Sequence, residues 1–289
     1  MSLQMADPPG PRGRRRILIA SLLAGAGLAA LAVLAVLRLD DAGQLDPKLW
    51  RVLLDEPDLR TLLWEGLLDT LRAAATGMVL AIVLGTLLAF ARLSKRPAVR
   101  APAAAIVEIL RGLPLLMLIF FAYLGLPALG LELSAFWALV LGLTAYNGAV
   151  LSEIFRAGVL SIDRGQTEAA EALGLRGTQI FLSIQFPQAV RRMAPTLVSQ
   201  LVTLLKDTSL GYVIGYTELL RQGRSAVEVL GGRYALPLYT TLAVIYIIVN
   251  GSLSLTARWL ERRQNVRAGR SPLPVDVGEN PGPVPAVRI

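Results

Sequence analysis

Six apolar stretches, each about twenty residues long, organise this chain, near residues 17 to 37, 66 to 90, 104 to 124, 134 to 155, 196 to 215 and 236 to 257. At about 1.5 Å of helical rise per residue each can cross roughly 30 Å of hydrocarbon. A lone strand would leave its amides and carbonyls unpaired in lipid, so every stretch is predicted to be a helix, and the fold class is all-α integral membrane. Two smaller patterns lie between the spans. Leu49 to Leu54 predicts a short interfacial helix within the polar segment 38–64, which also holds Trp50 and Trp64, residues suited to the headgroup level. Between the fourth and fifth spans, Asp163 followed by Gln166 is a helix-start pattern, an alanine-rich helix follows, and Gly174 is the residue type that stops it. A second apolar piece, Ile180 to Ile184, then runs into Pro187.

Composition agrees with this reading. The chain has 289 residues, 54% of them hydrophobic, and a mean hydropathy of +0.55, too apolar for an ordinary soluble domain. A net charge of +8 would suit nucleic acid, but the basic residues flank apolar spans, where they set orientation instead. Eighteen Lys and Arg fall in 1–16, 92–100, 156–192 and 258–270, against seven in 38–64, 125–132 and 216–234. The positive-inside rule therefore places both termini and the alanine-rich loop in the cytoplasm. Arg12, Arg14, Arg15 and Arg16 precede the first span as they would a secretory signal, yet that run is about 21 residues, longer than a signal's apolar core, and is predicted to be a retained anchor. The tail from Ser271, with five prolines, is predicted to be disordered.

Histidine and cysteine are absent, which removes imidazole bases, thiol nucleophiles and the commonest zinc ligands. No Gly-x-x-x-x-Gly-Lys-Ser/Thr loop occurs, so nucleotide phosphates have no cradle on this chain. The candidate chemistry lies in intramembrane charges. Lys206 and Asp207, followed by Thr208 and Ser209, fall near the middle of the fifth apolar stretch, where a charge is too costly to face lipid. They either line the path of a zwitterionic or anionic solute, or satisfy one another as an ion pair that fixes packing. Glu108 with Arg111, and Glu153 with Arg156, are three residues apart on one helical face and read as packing pairs. Gly112-Leu113-Pro114 should break or kink the third span, and Arg191 and Arg192 read as headgroup anchors.

The loop Glu168-Ala169-Ala170, then Gly174, Ile184 and Pro187, resembles the EAA loop of ATP-binding cassette importer permeases, with Phe186 where leucine is usual. Two further segments resemble the polar amino acid subfamily: Leu110-Arg111-Gly112-Leu113-Pro114-Leu115-Leu116, with Leu113 in place of threonine, and Leu204-Leu205-Lys206-Asp207-Thr208-Ser209-Leu210. Ala145 to Val150 looks most like its glutamate-type members. The likeness covers about residues 60 to 262. It implies a type I importer core of five helices, here preceded by one more, giving six spans with both termini cytoplasmic. The implied division is a basic N-terminus at 1–16, an extra span at 17–37, an external segment at 38–64, a permease core at 65–262 with its coupling loop at 163–187, and a cytoplasmic tail at 263–289. It also implies a bacterial plasma-membrane location, no cofactor on this chain, ATP and Mg held by a dimer of partner ATPase subunits docked on the EAA loop, an external solute-binding protein, and a second permease that is either a copy or a homologue. Glutamate leads among the expected solutes. An ion-coupled transporter or channel that uses no ATP is the competing reading, and it leaves the cytoplasmic loop without a purpose.

Overall fold

The structure, a computed structural model, describes residues 10–267. The predicted Pro-rich tail from Ser271 and the first nine residues lie outside that range. Helices α1 (Pro11–Asp41), α2 (Pro47–Trp50), α3 (Val52–Asp55) and α4 (Pro57–Leu93) lead into α5 (Pro97–Gly112), α6 (Leu115–Phe120) and α7 (Ala135–Leu160). They are followed by α8 (Arg164–Ala172), α9 (Gly177–Ile180), α10 (Phe186–Asp207), α11 (Leu219–Leu230) and α12 (Ala235–Arg267). Among the described residues there is no strand.

Four helices are long and apolar enough to cross a membrane, α1, α4, α7 and most of α12, and a fifth span forms if α5 and the segment Leu115–Leu129 count as one bent unit. α1 has no buried residue. α4 and α7 form the centre of the molecule. A Cβ on Gly85 would lie 2.8 Å from the Gly148 carbonyl oxygen and 2.8 Å from Leu151 Cβ, so bare glycines let the two backbones touch. Ala73, Ala81, Leu139, Leu143 and Leu151 fill the crossing, with Ile119 and Leu204 closing it from α6 and α10. The predicted interfacial helix is two single turns, α2 and α3, and Val52 joins Leu59, Leu63 and Leu219 in a second apolar cluster.

The third and fifth predicted spans differ from uniform rods. Gly112-Leu113-Pro114 breaks the third as expected, and the helices on either side meet at 103°. Leu113 is extended, as the residue before proline must be. The fifth helix starts earlier than the apolar pattern does, at Phe186, and stops at Asp207, so Lys206 and Asp207 stand at its C-terminal end and not in mid-helix. The cause is local. Thr208 and Ser209 donate their hydroxyls back to the Leu205 and Lys206 carbonyls at 2.7 and 2.8 Å, which competes with α-helical pairing and tightens the chain into a 3₁₀ segment over Thr208–Ile214. The connection 216–234, predicted to lie outside, folds as α11 and packs against α4 and α12. Glu218 is fully buried, accepts from the amides of Leu220 and Arg221, and takes the Tyr246 hydroxyl at 3.0 Å. This carboxylate caps α11 and fastens it to α12.

Candidate solute path and coupling surface

At the elbow between α5 and α6 a cavity of about 460 Å³ opens, lined by Arg111, the Gly112-Leu113-Pro114 break, Tyr146, Thr203, Asp207 and Leu210. The break brings Arg111 to the same opening as the carboxylate at the end of α10. Beside it Asn147, fully buried, accepts from the Gln200 amide at 2.7 Å and donates to the Leu143 carbonyl at 2.9 Å. That pair locks α7 to α10; Asn147 lies in the Ala145 to Val150 segment singled out in the sequence, whereas Gln200 did not stand out there.

Among the described residues no ion pair within 4 Å joins Lys206 to Asp207; the two side chains line different cavities while their charges still interact. Lys206 opens into two other cavities, between α10 and α12, because successive residues on a helix diverge by about 100°. Ser209 lines one of them with Lys206. Thr208, expected on the path, is fully buried, with its hydroxyl spent on Leu205, and offers nothing to a solute in this conformation.

The charged residues expected to pair do so differently. Glu153 and Arg156 meet at 2.6 Å, and Glu153 also accepts from Arg92 of α4. Glu108 is exposed and forms no ion pair with Arg111 among the described residues; Arg111 turns to Glu153 instead, at 4.0 Å. One carboxylate therefore holds guanidinium groups from α4, α5 and α7, and the base of the elbow is pinned to the centre of the bundle. Long-range partners of this kind are not visible in an i, i+3 spacing.

The predicted loop is a helix, a glycine turn and a second helix. Asp163 accepts from the Gly165 amide at 2.8 Å, α8 follows, and Gly174 takes φ +76°, the left-handed conformation that glycine adopts without steric cost. Ala170 is buried, while Glu168, Ala169 and Leu173 face outward, Leu173 at 82% exposure. The second helix does not end at Pro187. It passes through a π-helical stretch, Phe181–Gln185, that contains the half-buried Ile184, and continues into α10, with Pro187 just past that stretch. The loop is tied back in three places. Gln185 donates to the Thr167 hydroxyl at 3.0 Å, Arg192 donates to the Ser161 carbonyl at the end of α7, and Phe181 meets Phe90 of α4 edge to face at 5.2 Å. Arg192, expected to serve as a headgroup anchor, thus caps α7, whose last carbonyls favour a cation. Phe186 packs its ring 6.0 Å from Phe181.

A bundle of apolar helices with a broken span, a charged cavity at the break, and a polar helical hairpin at its arginine-rich end is a membrane transport subunit. Residues 70–266 match the family described as binding-protein-dependent transport system inner membrane component. The chain belongs to that family, and it is a permease subunit of the ATP-binding cassette importer type, in the polar amino acid subfamily. The probable glutamine ABC transporter permease protein GlnP of Bacillus subtilis is 44% identical over 207 residues, 70% of this chain and 93% of its own length. The glutamate transport system permease protein GluD of Corynebacterium glutamicum is 41% identical over 232 residues, 79% of this chain and 84% of that one. The crystal structure of an amino acid ABC transporter with histidines superposes with a TM-score of 0.68 at 30% identity, over 73% of this chain and 97% of that chain. The MetNI methionine transporter, at 21% identity and a TM-score of 0.59, has the same fold.

Proposed function

We propose that this subunit forms the membrane path of an ATP-driven importer for polar amino acids, glutamate or glutamine first among them, and that it meets a separate ATPase dimer through α8 and the Gly174 turn. The observation that carries this reading is the hairpin itself: exposed on its outer face, and tied inward to α7, α4 and α10 through Arg192, Phe181 and its own continuation. A push on α8 is thereby transmitted to the helix that ends at Asp207. Relatives named as glutamine and glutamate permeases support the solute class, and the elbow cavity suits it. Arg111 faces an α-carboxylate there, and Asp207 accepts from an α-ammonium. The chain catalyses no covalent step. ATP and Mg belong to the partner, an external binding protein delivers the solute, and a second permease, either a copy or a homologue, completes the path. Six spans with both termini in the cytoplasm are the arrangement that the charge count favours.

The test is reconstitution with the ATPase and binding protein in proteoliposomes. Uptake of labelled glutamate or glutamine should need ATP and stop with vanadate. Uptake that persists with vanadate and follows an ion gradient would support the secondary transporter instead.

A further inference from the structure

Behind the contact of Phe90 with Phe181, where α4, α7, the π-helical stretch and α10 meet, lies a crevice of about 230 Å³. Its α4 wall runs from Ile82 to Leu93 and its α10 wall from Phe186 to Leu197, both at helical spacing. Ala89 and Met193 are buried and form its floor, whereas Phe90, Phe186 and Val190 stay exposed at its sides. The lining is hydrocarbon, aromatic ring and thioether apart from Thr86, whose hydroxyl donates to the Ile82 carbonyl at 2.7 Å. No side-chain hydrogen-bonding group is left there for a polar solute.

The dimensions and the charge at one end suit a lipid tail. From Ile82 to Leu93, and again from Phe186 to Leu197, the helical rise gives about 16 Å, close to half of the roughly 30 Å hydrocarbon core and so the depth of one leaflet. The crevice ends where α4 ends, at Leu93. Lys95 and Arg96 follow at once, both exposed, and among the described residues neither side chain forms an ion pair or a hydrogen bond. Arg191, next in sequence to Val190, is exposed as well. The charge count assigns this end to the cytoplasmic leaflet, whose surface is negative. A convex helix face in lipid selects no particular neighbour, whereas a four-sided crevice one leaflet deep, with unpaired cations at its rim, does.

We propose that this crevice is a binding site for an anionic phospholipid: one acyl chain lies between α4 and α10, behind Phe181, and the phosphate rests against Lys95 and Arg96. A helix from a second permease is about 10 Å across with its side chains and does not enter a space of about 230 Å³, whereas an acyl chain does. A soluble anion meets the cations but leaves the apolar walls uncovered, and an uncharged amphiphile covers the walls but leaves the cations unpaired. The lipid site is separate from the elbow cavity and does not depend on which solute is carried. It places a membrane component directly beneath the hairpin, against the stretch that carries α9 into α10.

The experiment places the purified permease–ATPase complex in phosphatidylcholine nanodiscs doped with phosphatidylglycerol that carries a photoactivatable diazirine in its acyl chain, with the matching phosphatidylcholine probe in a parallel sample. Adducts are mapped by mass spectrometry, and α1, none of whose residues is buried, reports ordinary lipid contact. The ratio of phosphatidylglycerol to phosphatidylcholine labelling at Phe90, Phe181 and Val190 should exceed the ratio on α1 about tenfold, the effect of two basic residues at an anionic headgroup. Lys95→Gln combined with Arg96→Gln should bring the two ratios together, with Arg92 and Arg100 remaining to hold sidedness. Val190→Trp, which fills the crevice from its exposed side, should lower labelling of Phe90 and Phe181 by both probes while α1 is labelled as before. Equal ratios in the wild type, a preference that survives loss of Lys95 and Arg96, or suppression of crevice labelling by inorganic phosphate alone would overturn the lipid site. The expected labelling in a complex whose uptake is insensitive to vanadate would remove the importer reading and leave the lipid site in place.

Discussion

At the residue scale, Asp207 combines a visible cause with a consequence that is easily measured. The sequence marked it as a charge too expensive for lipid. The structure gives it a specific place, the last position of α10 beside Arg111 and the Pro114 elbow. Asp207→Ala should abolish or strongly reduce uptake in proteoliposomes while the complex still assembles, because removing the carboxylate takes away the solute's ammonium acceptor in a desolvated site, an effect of several kcal/mol. Wild-type rate and affinity at equal complex would show that Asp207 neither touches the solute nor supports the helix that does; a loss confined to the amount of assembled protein would assign it to packing. Glu153 shows the complementary lesson. Its partner at i+3 was legible, whereas Arg92 and Arg111 come from helices 61 and 42 positions away in sequence and are brought to it only by the packing of α4 and α5 on α7.

At the scale of elements, the hairpin was legible because every signal in it is local: an aspartate cap, an alanine-rich turn and a glycine at positive φ. What it continues into was not, because Pro187 reads as a stop in one dimension, whereas the helix runs through it from a π-helical stretch into α10. Glu168→Lys should leave the subunit inserted but reduce capture of the ATPase in a pull-down, since a reversed charge on an exposed docking face disrupts complementarity. Gly174→Asp should do the same and additionally strain the turn by about 1 kcal/mol, because a side chain at φ +76° is disfavoured. Its Cβ would meet no neighbour within 4 Å, so a loss of capture reports the turn and the partner surface, not a clash within the subunit. Undiminished capture by both variants together with normal uptake would sink the docking assignment.

At the scale of the whole molecule, the distribution of Lys and Arg predicts sidedness independently of any motif. Reporter fusions after Arg267 and in the loop near Asp46 should give opposite signals, with the first cytoplasmic. Matching signals would mean that one span is miscounted. α1 is the element to suspect, since none of its residues is buried against the rest of the chain, and its insertion rests on hydropathy alone.

The sequence by itself determined what depends on composition and short spacing: a helical membrane protein, the glycine-turn hairpin and the break at Gly112-Leu113-Pro114. These follow from solvent and from neighbours a few residues apart, and lipid leaves the backbone little choice. Only the tertiary structure decided where the charges point. That Lys206 and Asp207 part into different cavities depends on helix phase and on α10 ending at Thr208. That Arg111 leaves Glu108 for Glu153 depends on a 103° elbow. That Glu218 is a buried bolt between α11 and α12 depends on Tyr246 lying opposite it. Each of these joins residues far apart in the chain, and the pattern of apolar and polar positions records which side chains are buried without recording against what.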